Sequence, residues 1–153
     1  RGHGGNGEKD YGEHLLMERA KRVRDSRTQQ VHLIMSKDIN SVGRLFGGRL
    51  MEWIDMLGGV VAMRHCNMEI VTVAIEKLEF LAPAYIGNIL FMDAKIISVG
   101  NTSMRVQVDT YVESTHDGQR NLINRAELVI IAIDEEQHPV RVPRLLPDPE
   151  EEE

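Results

Sequence analysis

Residues 47–66 read GGRLMEWIDMLGGVVAMRHC, the one long helical stretch in the chain and the segment on which the fold turns. It is apolar nearly all round, which marks a helix buried by something wrapped about it. Away from it the period of the pattern changes. Residues 37–46 form a turn-rich loop with Asn40, Ser41 and Gly43, and residues 26–36 (SRTQQVHLIMS) read as a strand. After the helix everything reads as strand. Residues 70–80 and 88–99 are rich in Val, Ile and Phe, with a turn at APAYIGN between them. Residues 103–113 alternate: Met104, Val106, Val108, Thr110 and Val112 on one face, Ser103, Arg105, Gln107, Asp109 and Glu113 on the other. Residues 121–134 form a long strand, apolar on both sides, that stops at EEQHP, and Pro143, Pro147 and Pro149 then end regular structure. One strand, one buried helix and four strands joined by short turns predict an α+β fold. A curved antiparallel sheet of about five strands wraps the single helix of 47–66.

Composition agrees and removes whole classes of function. A chain of 153 residues fits one domain with a single core. With 42% hydrophobic and 27% charged residues it is neither disordered, collagen-like nor a disulfide scaffold. No apolar run approaches the ~18 residues of a membrane span, and no charged-then-apolar leader opens the sequence. The net charge of −6 is a poor starting point for binding nucleic acid, and five acids in residues 148–153 supply most of it, leaving −1 for residues 1–147. The expected organisation is a flexible arm (1–10), one domain (11–147) and an acidic tail (148–153). Gly2, Gly4 and Gly7 spell G-x-G-x-x-G with no strand before them, so no dinucleotide site follows. Residues 12–24 suggest a weak amphipathic helix whose Arg19, Lys21, Arg22 and Arg24 form a solvated face rather than a phosphate site. The one cysteine, Cys66, reads as a small core residue, and the missing disulfides accord with a reducing, cytoplasmic setting. His65 beside it cannot share its proton, because helical neighbours point about 100° apart. The six histidines are scattered without ligand spacing, so neither a metal nor a bound cofactor is expected.

The positive chemical signal lies between Asn40 and Ala62. Gly47 and Gly48 stand where the helix begins, where free N–H groups carry positive partial charge and a missing Cβ lets another molecule approach. Such a site suits an oxyanion developing on a carbonyl, although glycines there also serve tight helix–sheet packing. Asp55 is the odd residue: Met51, Gly58, Gly59 and Ala62 surround it at helical spacing. An unpaired buried carboxylate is costly, so Asp55 is either catalytic or held by a structural hydrogen bond. Gly58 and Gly59 each cost about 1 kcal/mol relative to alanine, a loss that makes sense if something else occupies their space. Asn40 offers an amide donor but also suits a loop or cap. Asp55 lies about 12 Å of helix rise from Gly47, so a second subunit is a natural way to bring Asn40, the helix start and Asp55 together.

The run N-x-x-G-x-L-F-G-G-x-L-M-x-W-I-D (Asn40 to Asp55), followed by GGVVAMRH, resembles the hotdog acyl-CoA thioesterases of the bacterial and mammalian cytosolic acyl-CoA hydrolase group. The likeness continues through VTVAIEKLEFLAPAYIGN (71–88), VGNTSM (99–104) and residues 133–143. The resemblance implies the hotdog fold and hydrolysis of acyl-CoA to free acid and CoA, with no cofactor beyond CoA itself. It implies catalysis by Asn40 and Asp55 across a homodimer interface, with the Gly47–Gly48 backbone polarising the thioester carbonyl. Thr72 is implied as a pocket residue and Gly100, Asn101, Thr102 and Ser103 as a CoA-binding turn, in dimers that assemble into hexamers. One departure is Met56, where many relatives carry Glu. Two alternatives stand beside this reading. A non-catalytic acyl-CoA sensor would need an output module, and the ~25 residues before the first strand are too short for one. A hotdog dehydratase would need a histidine on the Asp55 face of the helix, and none is there.

Overall fold

The computed structural model describes residues 20–149. In chain order these form β1 (Lys21–Arg22), α1 (Val23–Ser26), β2 (Thr28–Leu33), a 3₁₀ turn (Ser36–Asp38), α2 (Gly47–Cys66), β3 (Glu69–Phe80), β4 (Ile89–Val99), β5 (Ser103–Glu113), β6 (Arg120–Ile133) and β7 (Leu145–Leu146). Strands β2-β4-β5-β6-β3 make one antiparallel five-stranded sheet, and β1 and β7 a small parallel pair. This is the expected α+β arrangement of one long helix on one sheet. Two corrections belong at the ends. The helix expected over 12–24 lies outside the described residues up to 19, and within them Lys21–Arg22 is strand and only Val23–Ser26 helical. Regular structure does not end at Pro143, since Leu145 and Leu146, whose backbone N–H groups the prolines leave intact, still pair with β1. The arm of 1–10 and residues 150–153 lie outside the described residues.

The core is the contact between α2 and one face of the sheet. Leu50, Trp53, Ile54, Leu57, Val61, Ala62 and Cys66 make a stripe at helical spacing, and all are buried. They meet the inward rows of β4 (Leu90, Met92, Ala94, Ile96), β5 (Met104, Val106, Val108) and β6 (Ala126, Leu128, Ile130, Ala132), all fully buried. The helix ends where Asn67 adopts the left-handed conformation (φ 55°) and donates its N–H to the Met63 carbonyl. The sheet, however, wraps only one side of α2. Met51, Met56, Val60 and Met63 on the opposite side stand exposed in the single chain, although the sequence suggested a helix enclosed all round.

Two irregularities in β3 decide which way its side chains face. Thr72 pairs with Ile130 and Ala74 with Val129, so Val73 is an extra residue and the strand changes phase there. Before the bulge Ile70 and Thr72 share the face of Ala132 and Ile130; after it Ile75 takes the helix-facing position opposite Leu128. A second shift between Glu76 and Glu79 contains Lys77 at a φ of 50°.

Candidate active site

Asp55 projects from the flank of α2 beside β3 and is exposed in the single chain, not enclosed among small residues as its neighbours suggested. Thr72 Oγ1 donates a hydrogen bond of 2.8 Å to Asp55 Oδ1, while no described residue donates to Oδ2. Thr72 reaches the helix because it is the last residue before the Val73 bulge to carry the inward phase. The pair opens on a groove of about 480 Å³ walled by Gly48, Met51, Glu52, Thr72, Val73 and Ile75. A carboxylate fixed on one oxygen and open on the other, in such a groove, can take a proton from a water or attack an electrophilic carbon.

The start of α2 lies at one end of this groove. Phe46 occupies the N-cap and supplies no capping side chain, and the first turn has no acid. The Gly47 and Gly48 N–H groups therefore leave the helix end without a described partner, with the positive end of the macrodipole behind them. The two glycines differ. A Cβ on Gly48 would sit 2.7 Å from the Phe46 ring, so this glycine makes room for the chain's own aromatic ring. A Cβ on Gly47 would meet nothing within 4 Å, which leaves that backbone open to another molecule.

Asp38 fixes this helix start, and nothing in its sequence context announced it. Its side chain is 2% exposed, its Oδ1 accepts from Arg49 Nε at 2.9 Å and its Oδ2 from the Met35 N–H at 2.9 Å. Its own carbonyl accepts the Phe46 N–H. Burial works to raise the Asp38 pKa, but the Met35 amide and the Arg49 guanidinium outweigh it and hold the carboxyl below its ordinary range. The Arg49 guanidinium lies 5.5 Å from the centre of the Trp53 ring, and His32 stacks on that ring at 4.2 Å.

Asn40 is not brought to Asp55 within one chain. Its Oδ1 accepts from the Val42 and Arg44 N–H groups, so it closes its own loop, and it does not line the Asp55 groove. The turn of Gly100, Asn101, Thr102 and Ser103 is also separate. It follows Val99, in the same cross-strand row as Met104, Ile130 and Thr72, so it lies beyond β5 and about two strand spacings (about 10 Å) from Thr72. The Val142 and Ala132 N–H groups hold its Asn101 and Thr102 carbonyls. The space left by Gly58 is taken by the chain itself: a Cβ there would be 3.1 Å from Leu128 Cδ2, and one on Gly59 3.6 Å from Ile70 Cδ1. Gly58 is therefore a packing glycine, while a Cβ on Gly59 would make ordinary contact with the chain's own Ile70, so neither is room kept for a ligand. Cys66 is a buried core thiol, as expected. His65 is fully buried, with Nε2 on the Pro143 carbonyl at 2.8 Å, and burial holds its pKa below the ordinary value. Among the described residues no group of His, Cys, Asp and Glu could hold a metal ion, and no helix is long and apolar enough to cross a membrane.

Residues 42–118 match the thioesterase superfamily. The chain belongs to the thioesterase superfamily. Among curated members, an uncharacterized acyl-CoA thioester hydrolase of Zymomonas mobilis is 36% identical over 76% of this chain and 81% of its own length. Among solved structures, an acyl-CoA hydrolase of Staphylococcus aureus, in complex with butyryl-CoA, CoA and CoA disulfide, is 28% identical with a TM-score of 0.82, covering 86% of this chain and 80% of that one. An apo-hexameric acyl-CoA thioesterase is 33% identical with the same TM-score of 0.82, over 86% and 85%. Alanine variants of the S. aureus hydrolase replace an asparagine, an aspartate fifteen residues after it and a threonine seventeen after that. In this superfamily member Asn40, Asp55 and Thr72 stand at the same two separations.

Proposed function

We propose that this chain hydrolyses acyl-CoA thioesters to the free acid and CoA, with Asp55 as the reacting carboxylate. The observation that carries the reading is the Asp55–Thr72 pair, anchored at Oδ1 and free at Oδ2, in a groove that ends at the uncapped glycines of α2. The thioester carbonyl oxygen takes the Gly47 N–H, with that of Gly48 beside it, from a second copy of the chain. The helix rise of about 12 Å keeps these amides away from Asp55 of their own chain, and the charge that develops on the oxygen is met by that helix end. Asp55 Oδ2 then either activates a water or attacks the carbonyl carbon itself, forming a mixed anhydride that water opens. Asn40 completes the site from a second copy of the chain, and the Gly100–Ser103 turn contacts the CoA portion. No cofactor beyond the CoA of substrate and product takes part, and the setting is the cytoplasm.

Support for the second copy surrounds Asp55. Met51, Met56, Val60 and Met63 of α2 are exposed there, as are Val71 and Val73 on β3, which has no neighbour on its outer edge among the described residues. An apolar surface of this extent beside an open strand edge is the kind that a partner covers. The working unit is a homodimer, assembled further into a hexamer.

A thiol-release assay across acyl-CoA chain lengths tests the function. Asp55→Asn should lower kcat by about 10³-fold, the scale of losing a general base or nucleophile, with CoA binding retained. Release from no chain length by the native protein would leave a non-catalytic acyl-CoA-binding protein. Single turnover in labelled water, with label found in the Asp55 carboxylate, would favour the anhydride route.

A further inference from the structure

The first turn of α2 carries its two open amides on the residues least able to aim them. Gly47 and Gly48 have the widest conformational freedom of any residue type, so their direction must be imposed from outside. Of the first four N–H groups of the helix, that of Phe46 goes to the Asp38 carbonyl at 2.9 Å and that of Arg49 to the Phe46 carbonyl at 3.0 Å. Only Gly47 and Gly48 keep theirs without a partner among the described residues. A serine or aspartate at the N-cap would steady the turn, but its side chain would take the Gly48 or Arg49 amide. Phe46 in that position takes neither. Asp38 steadies the turn from behind instead, on both sides of the glycines. Before them its main-chain carbonyl holds Phe46; after them its Oδ1 accepts Arg49 Nε at 2.9 Å. Asp38 is itself fixed, with the Met35 N–H on its Oδ2 and its own N–H on the Met35 carbonyl. Arg49 is braced by the Trp53 ring, which stacks on His32 of β2.

We infer that Asp38 is a positioning residue for the hydrolysis: through Phe46 and Arg49 it aims the Gly47 and Gly48 amides at the thioester oxygen, and it does so for Asp55 of a second copy. The inference rests on the proposed chemistry at Asp55 and deepens it. A carboxylate only 2% exposed and paired with one guanidinium is a weak source of stability, since apolar residues of similar volume often serve as well. What the pair supplies that apolar packing cannot is direction. Its bonds tie the residue before the glycines and the residue after them to one rigid group. Oxyanion donors act only if they already point where the charge develops, and a displacement of about 1 Å can cost about 10²-fold. The helix rise holds Gly47 and Gly48 about 10–12 Å from Asp55 of their own chain. An altered Asp38 therefore damages the site built around Asp55 of the other copy, while its own Asp55 works with an untouched helix start.

Asp38→Asn keeps the shape and an acceptor oxygen but removes the charge that holds Arg49. Its kcat for butyryl-CoA should fall about tenfold with KM within about twofold, because the amides act on the transition state more than on the bound ester. A purely structural Asp38 gives the opposite pattern, a lower urea midpoint with native kcat in the folded protein. Arg49→Lys keeps the ion pair without the planar fork, so it should hold the native midpoint and still lose about threefold in kcat. It carries the same test if Asp38→Asn does not fold. Co-expression of Asp38→Asn and Asp55→Asn chains under two different tags shows which copy Asp38 serves. Each mixed dimer contains one site in which a native Asp55 meets a native helix start. Mixed oligomers isolated through both tags should therefore exceed the mean of the two parents about fivefold in thiol release per chain. Mixed oligomers at the mean of the parents, or Asp38→Asn and Arg49→Lys at native kcat, overturn the inference while the reading of Asp55 stands. Asp55→Asn at native turnover would overturn the reading of the site, and the inference with it.

Discussion

Thr72→Val removes one hydroxyl and changes the volume of the side chain very little. What is lost is an O–H···O⁻ bond of 2.8 Å to Asp55 Oδ1. Charge-assisted bonds of this kind contribute about 1.5–3 kcal/mol when water is excluded. Thr72 is only half-buried and Asp55 exposed, so the lower end, about 1.5 kcal/mol, applies. If that free energy serves to orient the carboxylate for reaction, kcat should drop about tenfold. KM should stay within about twofold, because the hydroxyl faces Asp55 and not the ligand. Thr72→Ser, which keeps the donor, should recover most of the loss and keep the native urea midpoint. Steady-state thiol release with saturating acyl-CoA measures all three enzymes. A valine variant at native kcat, or a serine variant no better than valine, would refute the orienting role of Thr72.

Other outcomes follow from the same geometry. Gly58→Ala places a Cβ 3.1 Å from a methyl of Leu128, a fully buried residue that must shift by a few tenths of an ångström within a packed core. Overpacking of about 2 kcal/mol against a helix-propensity gain of about 1 kcal/mol predicts a net loss near 1 kcal/mol, and a stabilised variant by urea unfolding would contradict the packing role. Gly47→Ala meets open space, so stability should hold while kcat/KM falls about tenfold; an unchanged kcat/KM would remove Gly47 from the site. Burial, first among the causes, holds both His65 and His32 below the usual histidine pKa. The unfolded chain therefore binds more protons below about pH 6.5, and stability is full above that pH and lost as pH falls through it. Each histidine contributes a slope of at most about 1.4 kcal/mol per pH unit, and His65→Gln should lower the slope of the unfolding free energy between pH 6.5 and 5.5. Equal slopes would count against the buried neutral imidazole.

Periodicity located most of the fold. The helix of 47–66 has its expected bounds, and the strands expected at 70–80, 88–99, 103–113 and 121–134 lie within a residue of β3 to β6. Asp55 was legible as a carboxylate at odds with its neighbours, whereas Thr72 was implied as a pocket residue only by the family resemblance. Their hydrogen bond was not, because it depends on the phase of β3, and V-T-V-A-I gives no local sign that Val73 is the extra residue. Gly58 looked like space for a ligand because the identity of its filler, Leu128 from a strand seventy residues away, is a tertiary fact, as is Ile70 beside Gly59. The exposure of Asp55 was hidden for a related reason: an all-round apolar helix says that it is covered but not by which chain. Asp38 left no pattern, since its partners are one backbone amide and one arginine eleven residues on.

The Val73 bulge has a consequence for how this chain can change over generations. It divides β3 into two halves that read alternation in opposite frames. On the early side the even positions answer to the reacting carboxylate; on the late side Ile75 answers to Leu128 and the core. Mutational drift on one side is therefore insulated from demands on the other. A single codon lost at this point would merge the frames and turn one half of the strand inside out. The extra residue thus acts as a joint between a part free to explore new substrates and a part bound to preserve the fold.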